Sequence, residues 1–437
     1  MKKACLFFAF LLIFPSLFFA QNDLSDEEVI QWARKEIDTL CSNTFAGRGY
    51  IADGHTLAAE YIAHRFRDSG LKPVVQARED YQYTQVFPLT INLVKNATLT
   101  IGKEALVPGE DFIANRLSGA GSISGRIADL GYALETPAVS LTGKIALFRD
   151  GWPEDIATDK EKQQQHKDLA NSAERIGMLL SYHPAAIIVV QKKLTAGFAR
   201  EQYPLPVLEV KEDALPAKLR SGKIMVEAAV TQLYSQNVMG LVEGKKYKDR
   251  VVIVCAHYDH LGKLGNAVFT GANDNASGTS LLLSMAEYFA SPAHQPDYSM
   301  LFIAFGGEET GLIGSAFYVN SQPVFPLDKT RFVLNLDLMG NGVDGIMAVG
   351  GVDFPDEFDR LVAINEAENA VPKVRSRKNA PNSDHYFFLE KGVPGFFIYT
   401  LGGPPHYHDV YDNPSTIALS KYAEVRRLLI RFLSEME

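Results

Sequence analysis

Val251-Val252-Ile253-Val254-Cys255-Ala256-His257-Tyr258-Asp259-His260 is an unbroken apolar run that stops abruptly on imidazoles and an acid. A strand exposed on one face alternates apolar and polar residues, whereas one covered on both faces is apolar throughout. The run therefore predicts a strand over 251–256 in the middle of a sheet with helices on both sides. Similar apolar runs predict strands over 300–305, 332–336 and 395–399, and helical periodicity predicts helices over 277–289 and 312–319 between them. The expected fold class is α/β, a mostly parallel sheet covered by helices on both faces.

In sheets of this kind the ligand site forms where strands end at their carboxyl edge, and the chemistry-bearing residues fall there. His257 closes the first strand with Asp259 two residues on, on the same side of an extended chain. A lone strand-end histidine is more often bonded to nearby backbone than to a metal. Asp274, in Gly271-Ala272-Asn273-Asp274-Asn275-Ala276-Ser277-Gly278, leads into a helix, where an acid is ordinarily a cap. Flanked by small residues, its two oxygens could also bridge two ions. Glu308 and Glu309 follow the next strand between glycines, and two adjacent carboxylates can divide labour, one binding metal and one taking a proton from water. Asp337 ends another buried strand, where an unpaired charge is costly. His406-Tyr407-His408 lies behind Gly402-Gly403-Pro404-Pro405. Each of these five sites has an ordinary structural explanation, but their recurrence at successive strand ends of one sheet points to metal. His257, Asp274, Glu309, Asp337 and His408 deal out as one histidine and one terminal carboxylate per ion, with one carboxylate shared. Histidine content favours two Zn2+ over magnesium or calcium.

Toward the N-terminus, 26–71 carries helical periodicity broken at Ala46-Gly47-Arg48-Gly49-Tyr50, with Ala58, Ala59, Tyr61, Ile62 and Phe66 on one face. Between 85 and 235 the texture changes to short β-like runs, at 97–101, 125–130, 144–148 and 186–190, around a polar helical stretch at 161–178. This predicts a smaller β-rich α+β unit inserted into a domain made of 21–84 and 236–437. Residues 1–20 read as an export signal, with Lys2 and Lys3 ahead of an apolar stretch that ends at Ala20. An uncleaved anchor is the rival reading, disfavoured by the short run and by Pro15. Export to the periplasm or the medium follows, with no stable membrane insertion after cleavage.

Apolar residues make up 46% of the 437 and charged residues 22%, which excludes a disordered chain. The net charge of −9 makes nucleic acid an unfavoured partner. Cys41 and Cys255 are too few for a disulfide scaffold, and Cys255 sits inside the apolar strand as a buried thiol.

At these motifs the sequence resembles the co-catalytic di-zinc aminopeptidase family, which also includes glutamate carboxypeptidases and the inactive transferrin-receptor ectodomain. The resemblance covers 26–71 and 236 to the end. It implies that His257, Asp274, Glu309, Asp337 and His408 are the zinc ligands, with Asp274 bridging, Glu308 the general base and Asp259 the carboxylate orienting His257. Tyr407 maps onto a tyrosine that donates to the oxyanion in some members. His406 competes with His408 as ligand, and the spacing from His408 to Asp412 matches the family. Ser383-Asp384-His385 resembles another family motif near the site, without an assigned role. The insert resembles a protease-associated domain. The implied activity is removal of residues from peptide or protein N-termini. A glutaminyl cyclase, with one zinc, and an inactive receptor-like relative are the alternatives.

Overall fold

The structure is a computed structural model that describes residues 24–77 and 80–436; the expected export signal lies outside them. Four strands form the parallel centre of the main sheet, in the order Gly395–Leu401, Thr330–Leu336, Tyr247–His257 and Tyr298–Phe305. Antiparallel neighbours flank them, Gly345–Val349 on one side and Ser221–Val242 on the other, so the sheet is mixed with a parallel core. The apolar run explains itself in three dimensions. Val252, Val254 and Ala256 face the helices Asp26–Leu40, Gly54–Asp68, Gly278–Ala290 and Tyr422–Ser434. Val251, Ile253 and Cys255 face Ile313–Asn320 and Tyr386–Glu390 on the other side. With period-two alternation both sets must be apolar.

Ala58, Ala59, Ile62 and Phe66 bury their expected face in the first of these layers. Cys41 and Cys255 are both buried free thiols.

Strands Gly121–Asp129, Ile145–Arg149, Ala186–Gln191 and Val207–Lys211 form a second parallel set, with Phe112–Ala114 antiparallel at its edge. Two long strands, Thr84–Ile101 and Ser221–Val242, pair antiparallel over 84–101 and 222–238, and the second joins this set to the main sheet. The second runs straight through 235/236, where composition changes, whereas the first begins at Thr84, at the 84/85 change itself. The polar stretch 161–178 is broken into Lys160–Gln165, the single turn Lys167–Leu169 and Ser172–Leu180. Asp159 and Asn171 cap the two α-helical pieces, and among these pieces only the last carries an apolar face, through Ile176 and Leu179. Among the described residues no helix is long and apolar enough to cross a membrane.

Candidate metal centre

Three of the four central strands deliver their side chains by ending. His257 is the last residue of its strand, Glu308 and Glu309 follow Phe305 after two glycines, and Asp337 follows Leu336. Asp274 sits in the turn that opens helix Gly278–Ala290. Gly271 makes that turn possible: its φ is +55°, and a Cβ there would lie 2.0 Å from the Asp274 carbonyl oxygen.

The donor atoms converge. His257 Nε2 lies 3.3 Å from Asp274 Oδ1 and 3.4 Å from Asp337 Oδ1. His408 Nε2 lies 3.1 Å from Asp274 Oδ2 and 3.1 Å from Glu309 Oε2. Two donor sets thus meet at the two oxygens of one carboxylate. Nitrogen and oxygen ligands about 2.0–2.1 Å from a tetrahedral zinc stand roughly 3.3 Å from one another, which is the spacing seen. Asp337 Oδ1 is buried without a hydrogen-bond partner, an expense that a cation would remove.

The charges tell the same story. Burial works to raise the Glu309 carboxyl, yet His408 beside it brings it down to about 2. Burial works to lower the His408 imidazole, yet Glu309 and Asp274 lift it to about 11. Glu308 is pushed well above the usual carboxylate range, by burial first and then by Glu309, Asp384 and Asp337. A pocket holding this many acids gains from a divalent cation.

Glu308 stands slightly apart, with Oε2 4.0 Å from His257 Nε2 and its side chain 13% exposed. It shares a cavity of about 200 Å3 with His257, Asp274 and Asp337, whose other wall includes Leu338, Arg377, Phe397 and Tyr399. Tyr407 lines the same cavity, its ring stacked on His408 at 3.9 Å between centroids. His406 is turned away, 3.8 Å from Asp409, so His408 is the histidine that joins the cluster. Asp259 approaches His257 twice: its backbone carbonyl is 3.2 Å from Nδ1, its carboxylate 3.9 Å. That carboxylate accepts from the Glu308 N–H and the Tyr50 hydroxyl, each at 3.2 Å, and burial lifts it to about 6.

Several supporting residues escaped the sequence reading. His260 Nδ1 lies 2.6 Å from Glu309 Oε1; its only signal was proximity to His257. Ser383 donates to Asp337 Oδ2 at 3.1 Å and accepts from Asn335 at 2.7 Å, which places the unassigned Ser383-Asp384-His385 motif behind a ligand. Asp384 is fully buried and pushed up to about 7 by that burial; His385 is pushed down to about 3 for the same reason. Asp412 accepts the backbone N–H groups of Asn273 and Asp274 at 2.8 and 2.9 Å.

Arg48, inside the sequence break, is the largest surprise. Fully buried, it donates to the carbonyls of Tyr258 (2.7 Å), Thr270 (2.7 Å), Gly271 (2.8 Å) and Leu40 (3.1 Å). It ties the first helix to both the His257 and the Asp274 turns. Gly47 lets the segment approach, since a Cβ there would meet the Phe269 carbonyl oxygen at 2.4 Å. Arg48→Met orphans several buried carbonyls at about 1–3 kcal/mol each. A loss of roughly 3 kcal/mol or more in denaturant unfolding is expected, and a loss below about 1 kcal/mol would refute this role.

Residues 237–433 match Peptidase family M28. Aminopeptidase YwaD of Bacillus subtilis is 29% identical over 318 residues, 69% of this chain and 64% of YwaD, so the chain spans less than two thirds of that relative. A solved zinc aminopeptidase of Bacillus subtilis has a TM-score of 0.68 at 22% identity, over 93% of this chain and 94% of that one. A Bacteroides thetaiotaomicron glutaminyl cyclase reaches 0.50 at 13% identity, over 94% and 98%. At such identities these two likenesses speak of the fold alone.

Proposed function

We propose, from the match of residues 237–433 to Peptidase family M28, that this chain is an exported zinc-dependent exopeptidase, an aminopeptidase that hydrolyses the first peptide bond of peptides and proteins. The observation that carries the reading is the convergence of His257 with Asp337, and of His408 with Glu309, on the two oxygens of Asp274. These residues would hold two zinc ions, which when bound polarise the scissile carbonyl and make water acidic enough to lose a proton near neutral pH.

The chain's own groups do the rest. Glu308, beside the ligands but outside the closest contacts, accepts the water's proton and passes it to the leaving amine. Asp259 holds the Glu308 backbone N–H and so fixes where that carboxylate starts. Tyr407 closes the cavity over His408 and offers its hydroxyl to the oxygen that gains charge. The cavity, about 200 Å3, is smaller than the roughly 300–1,000 Å3 of pockets for drug-sized ligands. Such a space suits one terminal residue rather than a continuous chain segment. The 85–235 segment reads as a protease-associated-like insert.

Peptides offered with free and with acetylated N-termini separate the readings. Release of single residues from free N-termini, with acetylated peptides resisting, is the expected result. Cyclisation of an N-terminal glutamine peptide without residue release would put the chain with the glutaminyl cyclases, and no turnover with zinc bound would make it a receptor-like relative. For export, the secreted or periplasmic protein is expected to begin at Gln21; recovery of the cytoplasmic, full-length chain would overturn that part.

A further inference from the structure

We infer that the insert is a structural part of the second metal position: Lys193 and the backbone of Ala196 hold the His408 loop in its ligating shape. The inference rests on the metal-centre reading above and adds residues outside the M28 domain to it.

Three observations converge on one loop. Strand Ala186–Gln191 of the insert ends at its carboxyl edge, and the chain that follows reaches across to 405–409. The Ala196 carbonyl lies 3.0 Å from His408 Nδ1, and the Ala196 N–H donates to the His408 carbonyl at 2.9 Å. This reciprocal pair leaves Nε2 free to face Asp274 and Glu309, because an imidazole that donates from Nδ1 presents Nε2 as the ligand. Lys193 Nζ donates to the Pro405 carbonyl at 2.7 Å and lies 3.4 Å from Asp409, whose carboxylate is nearly buried. The cation thereby grips the loop on both sides of His408.

The loop needs such a grip. His408 has φ +55°, a left-handed conformation that non-glycine residues hold only where their surroundings impose it. Val410 packs against the insert's own core, and Gly109 of the insert approaches it so closely that a Cβ would stand 2.7 Å from Val410 Cγ1. None of the other zinc-ligand candidates has a hydrogen bond or ion pair to a residue between 85 and 235 among the contacts described. His257, Asp274, Glu309 and Asp337 are held instead by Asp259, Asp412, His260 and Ser383, all outside the insert. The two metal positions are therefore supported by different parts of the chain, and only one depends on the insert. Lys193 is a positioning residue, since it touches neither metal nor substrate.

Zinc binding to the purified full-length protein by competition with a chelator tests this without reference to turnover. Wild type is expected to take up two zinc ions. Lys193→Met is expected to weaken one of them about fivefold and leave the other within twofold, and Lys193→Arg to restore it. Ala196→Pro removes the N–H that binds the His408 carbonyl and is expected to weaken the same ion tenfold or more. Equal affinities for both ions in Lys193→Met and Ala196→Pro as in wild type would overturn the inference, as would an equal loss at both positions. Should either variant fold poorly, Asp409→Asn tests the grip from its other end, with the same one-sided loss expected and an unchanged profile counting against it. A wild-type protein that binds fewer than two zinc ions overturns the metal-centre reading itself, which is distinguishable because it appears before any substitution is made.

Discussion

Glu308→Gln is expected to lower kcat by about 10²–10⁴-fold while the protein keeps its zinc. The substitution removes one proton-accepting oxygen and preserves size. Glu308 Oε2 stands 4.0 Å from His257 Nε2, farther than the 3.1–3.4 Å contacts among the other donors, so the glutamine takes no ligand away. The backbone N–H that Asp259 Oδ1 accepts is unaffected, so the side chain starts from the same place. Turnover of an aminoacyl chromogenic substrate, together with zinc content by elemental analysis, checks both halves. Wild-type kcat refutes the base; loss of zinc makes Glu308 a ligand.

Asp274→Ala should have the larger effect on the metal, and should act on both ions at once. Asp274 offers Oδ1 toward His257 and Oδ2 toward His408, and among the described residues no other lies against both histidines in this way. Without it each position keeps one histidine and one carboxylate, with no shared group to balance two close cations. Zinc content is expected to fall from two per chain to below one, and activity to background. A ligand that binds only the folded state stabilises by about 2.7 kcal/mol at a hundredfold excess over its Kd. Wild-type Tm should therefore rise on adding zinc to the chelated protein, and the Asp274→Ala Tm should barely move. If one zinc stays bound with wild-type affinity, Asp274 is a ligand to a single position and not a bridge.

How far the sequence carries depends on the distance between cause and effect. The apolar runs ending on His257, Glu308 and Asp337 were legible because strand burial and strand end are both written locally. The strands Gly345–Val349 and, at the edge, Val374–Arg377 were not, because they are short and the outer one, Val-Arg-Ser-Arg, is only partly buried. The expectation of a mostly parallel sheet held for the four central strands; the pairs that flank them are antiparallel and the outermost pair beyond Gly345–Val349 is parallel again, a direction that local pattern does not encode. Arg48 read as part of a helix break; its carbonyl partners lie up to 223 positions away. Ala196 lies 212 positions from His408, and nothing about an alanine marks it as a support for an imidazole. His260 and Ser383 were visible as residue types near the motifs, but which ligand each would hold was not.

The strands covered on both faces, the helices at 277–289 and 312–319 between them and the acid or imidazole that closes three of them could all be read from the amino-acid order, because burial periodicity and residue chemistry are properties of short segments. The resemblance names Asp274 as the bridge and His408 over His406; the distances among them, and the part that Arg48 and the loop after Gln191 play in holding the turns, come from the folded chain alone. Those outcomes depend on how distant segments close on one another in space, and a buried guanidinium or a backbone carbonyl finds its partner only when they do.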